Sequence, residues 1–332
     1  YLKIYWDSKS DVRSMLYLWR LRNKYYLIDP NMKSCTFHTV DYRLNKIVKT
    51  YEEEISSDGK NISFCKVGLT YERLKECYNK ILSFNPDWFN LQPSIAYLLA
   101  KVVKENNLPI PSNLKYIELS GELLLNDYRK TIKEAFNIDP INQYGTNETN
   151  VIALEYDNHM HVMENNVIVE VIKDSKPVIG EEGEICVTSL TNYTMPFIRY
   201  KTGDLGVINK DDPNKLDIIY GRTGDFVYLE NGERLNSYIL IGIIQYTNEY
   251  MANAINQFQI TQTGLNSFDV LLVLKKDYQN WEKAVKESFI DNINEKHLRN
   301  ADWNFRFIDN ILPDPNTGKI KYFISLNINK DF

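Results

Sequence analysis

The sequence predicts an α/β fold: a mainly parallel sheet with flanking helices plus a small β-barrel or sandwich, followed by a small C-terminal α+β domain. Three observations carry this expectation. Up to residue 150, short β-rich runs alternate with amphipathic helical periods, the pattern of a parallel sheet covered by helices. From there to about residue 222 the runs are short strands separated by turns, which reads as antiparallel structure. Beyond a glycine-rich stretch, GRTGDF (221–226), a helix and several strands form a block large enough for a small domain of its own. The expected division is 1–222 and 223–332.

The elements follow in order. LKIYWD alternates Leu2, Ile4 and Trp6 with Lys3 and Tyr5, and reads as a strand already under way. SDVRSMLYLWRLRNKYY (10–26) places Val12, Met15, Leu16 and Trp19 at helical spacing behind Ser10 as a cap. SCTFHTV (34–40) and NISFCKV (61–67) read as buried strands joined by a charged, solvated loop. Thr70 is set to cap a helix that buries Leu74, Cys77, Tyr78, Ile81 and Leu82. Pro93 opens the next helix, with Ile95, Leu98, Leu99, Val102 and Val103 inward. KYIELSGE (115–122) is a strand ending in a turn, LNDYRKTIKEAFN (125–137) a helix, and INQYG the next strand. VIVEVI, GEICVTSL, GDLGVIN and KLDIIY supply the antiparallel strands. In the last block, Asn231-Gly232 marks a hairpin, FDVLLVLKK and WNFRFID are strands, and WEKAVKESFIDNINEKHL is a helix.

Composition excludes several functions. The 332 residues carry a net charge of −5 with scattered basic residues, so nothing points to nucleic acid. There is no apolar run of about 18 residues and hence no membrane insertion. The four cysteines are far apart and include no Cys-x-x-Cys pair, which argues against a zinc knuckle and favours a reducing cytoplasm. His159 and His161 are assigned to opposite faces of a strand, a poor metal pair. Walker A, GxGxxG and GxSxG motifs have no match in the chain.

Four stretches offer chemistry instead. NQYGTNET combines the flat ring of Tyr144, the permissive backbone of Gly145 and Glu148, a hard oxygen ligand suited to Mg2+ beside phosphates. In RYKTGDLG (199–206), Asp204 follows a Thr-Gly turn, where a carboxylate can accept both hydroxyls of a ribose. Arg222 of GRTGD brings a planar fork for ribose or phosphate. PDPNTGKIKYF (313–323) presents Lys319 at the tip of a loop. Each string alone is common in ordinary turns.

Their order and spacing are specific. The sequence resembles the adenylate-forming enzymes: acyl-CoA synthetases, luciferases and peptide-synthetase adenylation domains. Within them it is most similar to the phenylacetate–coenzyme A ligase group and its capsular-polysaccharide-biosynthesis relatives. YGTNET resembles the family's Tyr-Gly-x-(x)-Thr-Glu motif and RYKTGDLG its Arg-Tyr-x-Thr-Gly-Asp motif. GRTGDFVYLENGERLNS resembles the hinge motif and TGK the C-terminal lysine motif. FNPDWFNLQPSIAYLLA and ELSGELLLNDYRKTIKEAFN also look like family segments.

The resemblance implies a large adenylation domain over 1–222 and a small mobile C-terminal domain over 223–332. It implies ATP-dependent conversion of a carboxylic acid to an acyl-AMP with release of pyrophosphate, then transfer to a thiol such as coenzyme A. Transfer to an acyl carrier protein or an amine is the alternative, and a non-catalytic nucleotide-binding role in surface-polysaccharide assembly is the second. The implied roles place Tyr144 on adenine, Gly121 and Glu122 along the base and acyl pocket, and Asp204 and Arg222 on the ribose. Glu148 holds Mg2+, Lys319 bridges ribose and carboxylate oxygens, and Thr149 has an open role.

The match has departures. The spacing between Gly145 and Glu148 differs from the usual motif, which leaves the alignment around Glu148 open. Gly224 stands where relatives carry Asp or Lys, and no structural zinc site is expected. The family's Thr/Ser/Gly-rich phosphate loop has no counterpart here. The resemblance places it just upstream of LKIYWD, with roughly the first hundred residues of a usual member outside this chain, so these residues alone are expected to be impaired. Trp88, Phe89 and Tyr97 fit either an aromatic-acid pocket or the core, and the core is the preferred reading. The acid and the oligomeric state are not legible.

Overall fold

The computed structural model describes residues 3–38, 40–41, 46–47, 53–56, 58–65, 71–222, 226–232, 234–293, 296–311 and 320–325. The chain divides into two compact units, Tyr1–Arg222 and Thr223–Phe332.

The first unit is built on a sheet of eight strands among the described residues. Their order is His159–Val162, Asn150–Tyr156, Ile141–Thr146, Tyr116–Ser120, Trp88–Leu91, Ser34–His38, Asn61–Cys65, Glu53–Ile55. The five strands from Ile141–Thr146 to Asn61–Cys65 run parallel, and antiparallel hairpins close both edges. Part of the charged connection expected to be loop is therefore the edge strand Glu53–Ile55. Adjacent residues of a strand point to opposite faces. Trp88 meets Trp19 of helix α1 (Ser8–Tyr26), while Phe89 meets Phe136 of α4 (Asn126–Phe136). The sheet is thus sandwiched, with α1 on one face and α4 on the other. Helices α2 (Tyr71–Phe84) and α3 (Pro93–Asn106) join α4 through the Tyr78–Phe136 and Tyr97–Tyr128 ring pairs. Trp88, Phe89 and Tyr97 are buried core residues.

Helix α1 corrects the periodicity reading. Its cap is Asp7, whose carboxylate accepts from the Lys9 and Ser10 amides, and Ser10 is buried one turn inside. The inward stripe is Ser10, Ser14, Leu18, Leu21 and Arg22, while Val12 and Leu16 are 57% and 62% exposed. Residues 3–7 lead into the helix without strand pairing, so the strand expected in LKIYWD does not form there.

A five-stranded antiparallel sheet follows, in the order Lys176–Val178, Val167–Lys173, Gly183–Ser189, Tyr200–Ile208, Leu216–Arg222. It packs on the edge hairpin of the first sheet through Ile152, Ala153, Val167, Val171, Ile185, Val187, Ile208 and Leu216. These residues are the second layer that the turn-separated strands call for.

The second unit carries a four-stranded sheet in the order Asp302–Phe307, Ser267–Leu274, Ile255–Gly264, Phe323–Ile324. Phe289 of the Glu282–Asp291 helix packs edge-on to Trp303 and Phe305 of that sheet. The Asn231-Gly232 hairpin forms as expected, with Gly232 at φ 82°. Gln262 ties it to the sheet, accepting from the Tyr228 amide and donating to the Tyr228 carbonyl. Helix Tyr238–Tyr250 and strand Ile255–Gly264 were not anticipated. Their signals were the run YILIGII and the alternation of Phe258, Ile260 and Gln262. No helix of the described residues is long and apolar enough to cross a membrane.

Candidate functional site

The site assembles where the two sheets of the first unit meet. Strand Ile141–Thr146 turns through Asn147-Glu148-Thr149 into strand Asn150–Tyr156. The turn is closed internally: the Thr146 and Thr149 hydroxyls are 3.0 Å apart, and the Thr149 amide donates to the Thr146 hydroxyl. Asn150 takes the left-handed φ of 58°. Gly145 has a local reason to be glycine: a Cβ there would lie 2.6 Å from the Asn150 carbonyl oxygen across the hairpin. Thr149 is buried, whereas Glu148 is half-buried.

The second motif lies within strand Tyr200–Ile208, not in a turn. Tyr200, Thr202 and Asp204 are spaced by two, which puts them on one face of the strand. Gly203 sits between them at φ 79°, and the pairing slips by a residue just after Asp204. That face meets the first motif. The Tyr144 hydroxyl lies 2.7 Å from Asp204 Oδ2 and 3.2 Å from Thr202 Oγ1. The Tyr200 hydroxyl donates to Glu148 Oε1 at 2.9 Å. Thr202 in turn donates to the Ile185 carbonyl and accepts from the Asp204 amide. Tyr144 packs by its ring against the inter-sheet cluster.

The other expected residues are placed as follows. Gly121 follows strand Tyr116–Ser120 at φ 82°. Glu122 Oε2 accepts from the Ser94 amide at 3.0 Å, in the first turn of α3, where backbone donors have no partner in the helix. Arg222 is the Cα partner of Asp204 in the sheet, so the backbone brings them side by side. The Arg222 side chain, Gly224 and Lys319 lie outside the described residues.

Sequence reasoning missed two supports. Trp6 donates its indole N–H to the Asn147 carbonyl in the motif turn. Arg22 of α1 donates from Nε to Glu118 Oε2 at 2.8 Å, two residues before the SGE turn. The Tyr116 hydroxyl also donates to Glu118, and Trp19 and Trp88 flank the guanidinium with ring centroids at 4.5 and 5.0 Å. Burial, then the adjacent Glu118 carboxylate, push the Tyr116 phenol far above its usual range, so it stays a donor. The only advance signal was a charged residue inside each of two otherwise apolar patterns.

His159 and His161 correct an expectation. Residues two apart on a strand share a face, and the two rings stand edge to face with centroids 6.3 Å apart. Among the described residues no group of three or more His, Cys, Asp or Glu is placed to hold a metal ion. All four cysteines are buried and none forms a disulfide.

Known proteins match both units. A family model for the CapK C-terminal domain matches residues 228–326. Protein CapK of Staphylococcus aureus is 26% identical over 270 residues, 76% of this chain and 56% of that protein. Phenylacetate-coenzyme A ligase of Thermus thermophilus is 27% identical over 164 residues, 45% of this chain and 37% of that protein. The chain thus spans little more than half of the first relative and less of the second. Among solved structures, a 2-hydroxyisobutyryl-CoA ligase in the postadenylation state superposes with a TM-score of 0.71 at 15% identity, covering 98% of this chain and 74% of that one. The chain therefore has the fold of the adenylate-forming ligases and is related in sequence to CapK and to phenylacetate-coenzyme A ligase.

Proposed function

We propose that this chain carries the nucleotide-binding part of an enzyme that adenylates a carboxylic acid with ATP and passes the acyl group to a thiol. The observation that supports it most is the meeting of two motifs far apart in sequence, with the Tyr144 hydroxyl 2.7 Å from Asp204. In this reading Tyr144 stacks on adenine, Gly121 and Glu122 border the base and acyl pocket, and Asp204 and Arg222 hold the ribose. In the same reading Lys319 is the residue that bridges ribose and carboxylate oxygens during adenylation.

The acid's carboxylate oxygen bonds to the α-phosphorus of ATP and the bond to pyrophosphate breaks, leaving acyl-AMP. The barrier is mainly repulsion between anions and their alignment, so cationic and hydrogen-bonding groups matter more than a general base. The thiol then attacks the acyl carbonyl and AMP leaves. Coenzyme A is the proposed acceptor, with a carrier protein or an amine as the alternative.

Glu148 fits the Mg2+ ligand of this scheme. It is half-buried, accepts from a neutral phenol, and pairs with no basic side chain among the described residues. Mg2+ takes one or two protein carboxylates and fills its shell with water and phosphate oxygens. Bound there, it would screen phosphate charge, while Glu148 holds its position.

ATP–pyrophosphate exchange across a panel of carboxylic acids tests the proposal, using the natural full-length polypeptide beside Lys319→Ala. Acid-dependent exchange that collapses in the variant is the expected result and names the acid class. Nucleotide binding without exchange for any acid would replace the enzyme with the non-catalytic reading in surface-polysaccharide assembly.

A further inference from the structure

The two motifs hold each other's carboxylates. Tyr144 of the first donates to Asp204 of the second, 60 positions away. Tyr200 of the second donates to Glu148 of the first, 52 positions away. Resting on the adenylation reading, we infer that Tyr200 and the Tyr144 hydroxyl form a reciprocal brace that sets the metal carboxylate and the ribose carboxylate before nucleotide binds. Tyr200 is a positioning residue acting through Glu148, and Tyr144 has a second role beyond its ring.

The chemistry of the donors supports the brace. A phenol has one proton. For Tyr144 it goes to the nearer and charged acceptor, Asp204, since Thr202 lies farther off and its oxygen already accepts from the Asp204 amide. Hydrogen bonds to ionised acceptors are the stronger kind. A neutral donor also orients a carboxylate without cancelling its charge. Glu148 accepts the phenol at Oε1, and a carboxylate offers about four lone-pair positions, so capacity for a cation remains. The backbone builds both arms from one feature: Tyr200, Thr202 and Asp204 share a face, so a single strand presents a donor and an acceptor to the opposite hairpin.

The test pairs two conservative variants with two readouts. Tyr200→Phe should raise the Mg2+ concentration for half-maximal pyrophosphate exchange by about tenfold, the loss of one hydrogen bond to a charged group. Metal-free AMP affinity should stay at the wild-type value. Tyr144→Phe keeps the ring and should lower the preference for AMP over 2′,3′-dideoxy-AMP by about tenfold. In a Glu148→Ala background, which removes the acceptor, Tyr200→Phe should add nothing to the Mg2+ requirement. Phe variants that match wild type in Mg2+ requirement and ribose preference overturn the brace while exchange by wild type sustains the adenylation reading. So does a Tyr200→Phe effect that persists beside Glu148→Ala. A wild-type protein that binds no AMP overturns both.

Discussion

Glu118 and Glu148 lie in the same unit and are treated in opposite ways. Glu118 is wholly buried and faces Arg22, itself 2% exposed, with Tyr116 as a second donor and two tryptophans around the guanidinium. Its charge is cancelled inside the fold. Glu148 is half-buried on a hairpin turn and is held by a neutral phenol. Its charge is oriented but not cancelled. The carboxylate that completes the core is matched with a cation from the chain, and the one proposed to serve a ligand is held by a group that leaves its charge in place.

The largest expected effect breaks the first member of this comparison. Arg22→Met leaves the buried Glu118 without its cation and should cost about 3–5 kcal/mol. Arg22→Met with Glu118→Leu should recover much of it, falling short by about 1–3 kcal/mol for the Tyr116 hydroxyl left unpaired. Urea unfolding followed by tryptophan fluorescence reads both, because Trp19 and Trp88 sit against the pair. A double variant no more stable than Arg22→Met would show that the charge is not what makes the single change costly. Glu148→Gln, by contrast, should leave the unfolding midpoint unmoved.

Next comes the hairpin that carries Glu148. Gly145→Ala drives a Cβ to 2.6 Å from the Asn150 carbonyl oxygen, and backbone must give way. Overpacking of this kind costs about 1–3 kcal/mol. The shift should also weaken nucleotide binding, since Tyr144 is the neighbouring residue. A stable Gly145→Ala protein with normal AMP affinity would mean that the glycine serves neither hairpin nor site.

These regions also differ in how far the sequence announces them. Helices α2, α3 and α4 are legible because their apolar residues recur every three or four positions. Helix α1 is legible as a helix but its inward face is not, because that stripe begins with Ser10 and Ser14, which close on Asp7 and Asn150, and ends with Arg22. An apolar period misses a buried face made of polar partners. The candidate site residues Tyr144, Glu148 and Asp204 are picked out by motif order alone. The brace is not, since it depends on the register of strands in two different sheets. Nor is the Arg22–Glu118 pair, whose members are 96 positions apart.

A smaller effect separates structure from site at Glu122. Its carboxylate accepts from the Ser94 amide at the start of α3. Glu122→Ala should cost about 1 kcal/mol, as removal of a capping acceptor does. Thermal unfolding measures it. If nucleotide affinity falls while stability holds, Glu122 belongs to the pocket and the capping contact is incidental.

The smallest effect concerns a third carboxylate, Asp7, which is only partly buried yet strongly engaged. Hydrogen bonds from the Ser10 and Thr194 hydroxyls, then from the Ser10 amide, hold its carboxyl far below the usual range. The folded value is depressed, so the contribution is complete above the unfolded value near 3.9 and is lost as pH falls through the folded one. The start of α1 should therefore stay capped through mild acid. Amide NMR signals of Lys9 and Ser10 should hold steady from pH 7 to about 4, the window above the ordinary Asp value. In Asp7→Asn the side-chain oxygen still caps the helix, but the acid-side loss should vanish with the titrating group. A wild-type Asp7 that titrates at an ordinary value would show that these hydrogen bonds do not favour its charged form.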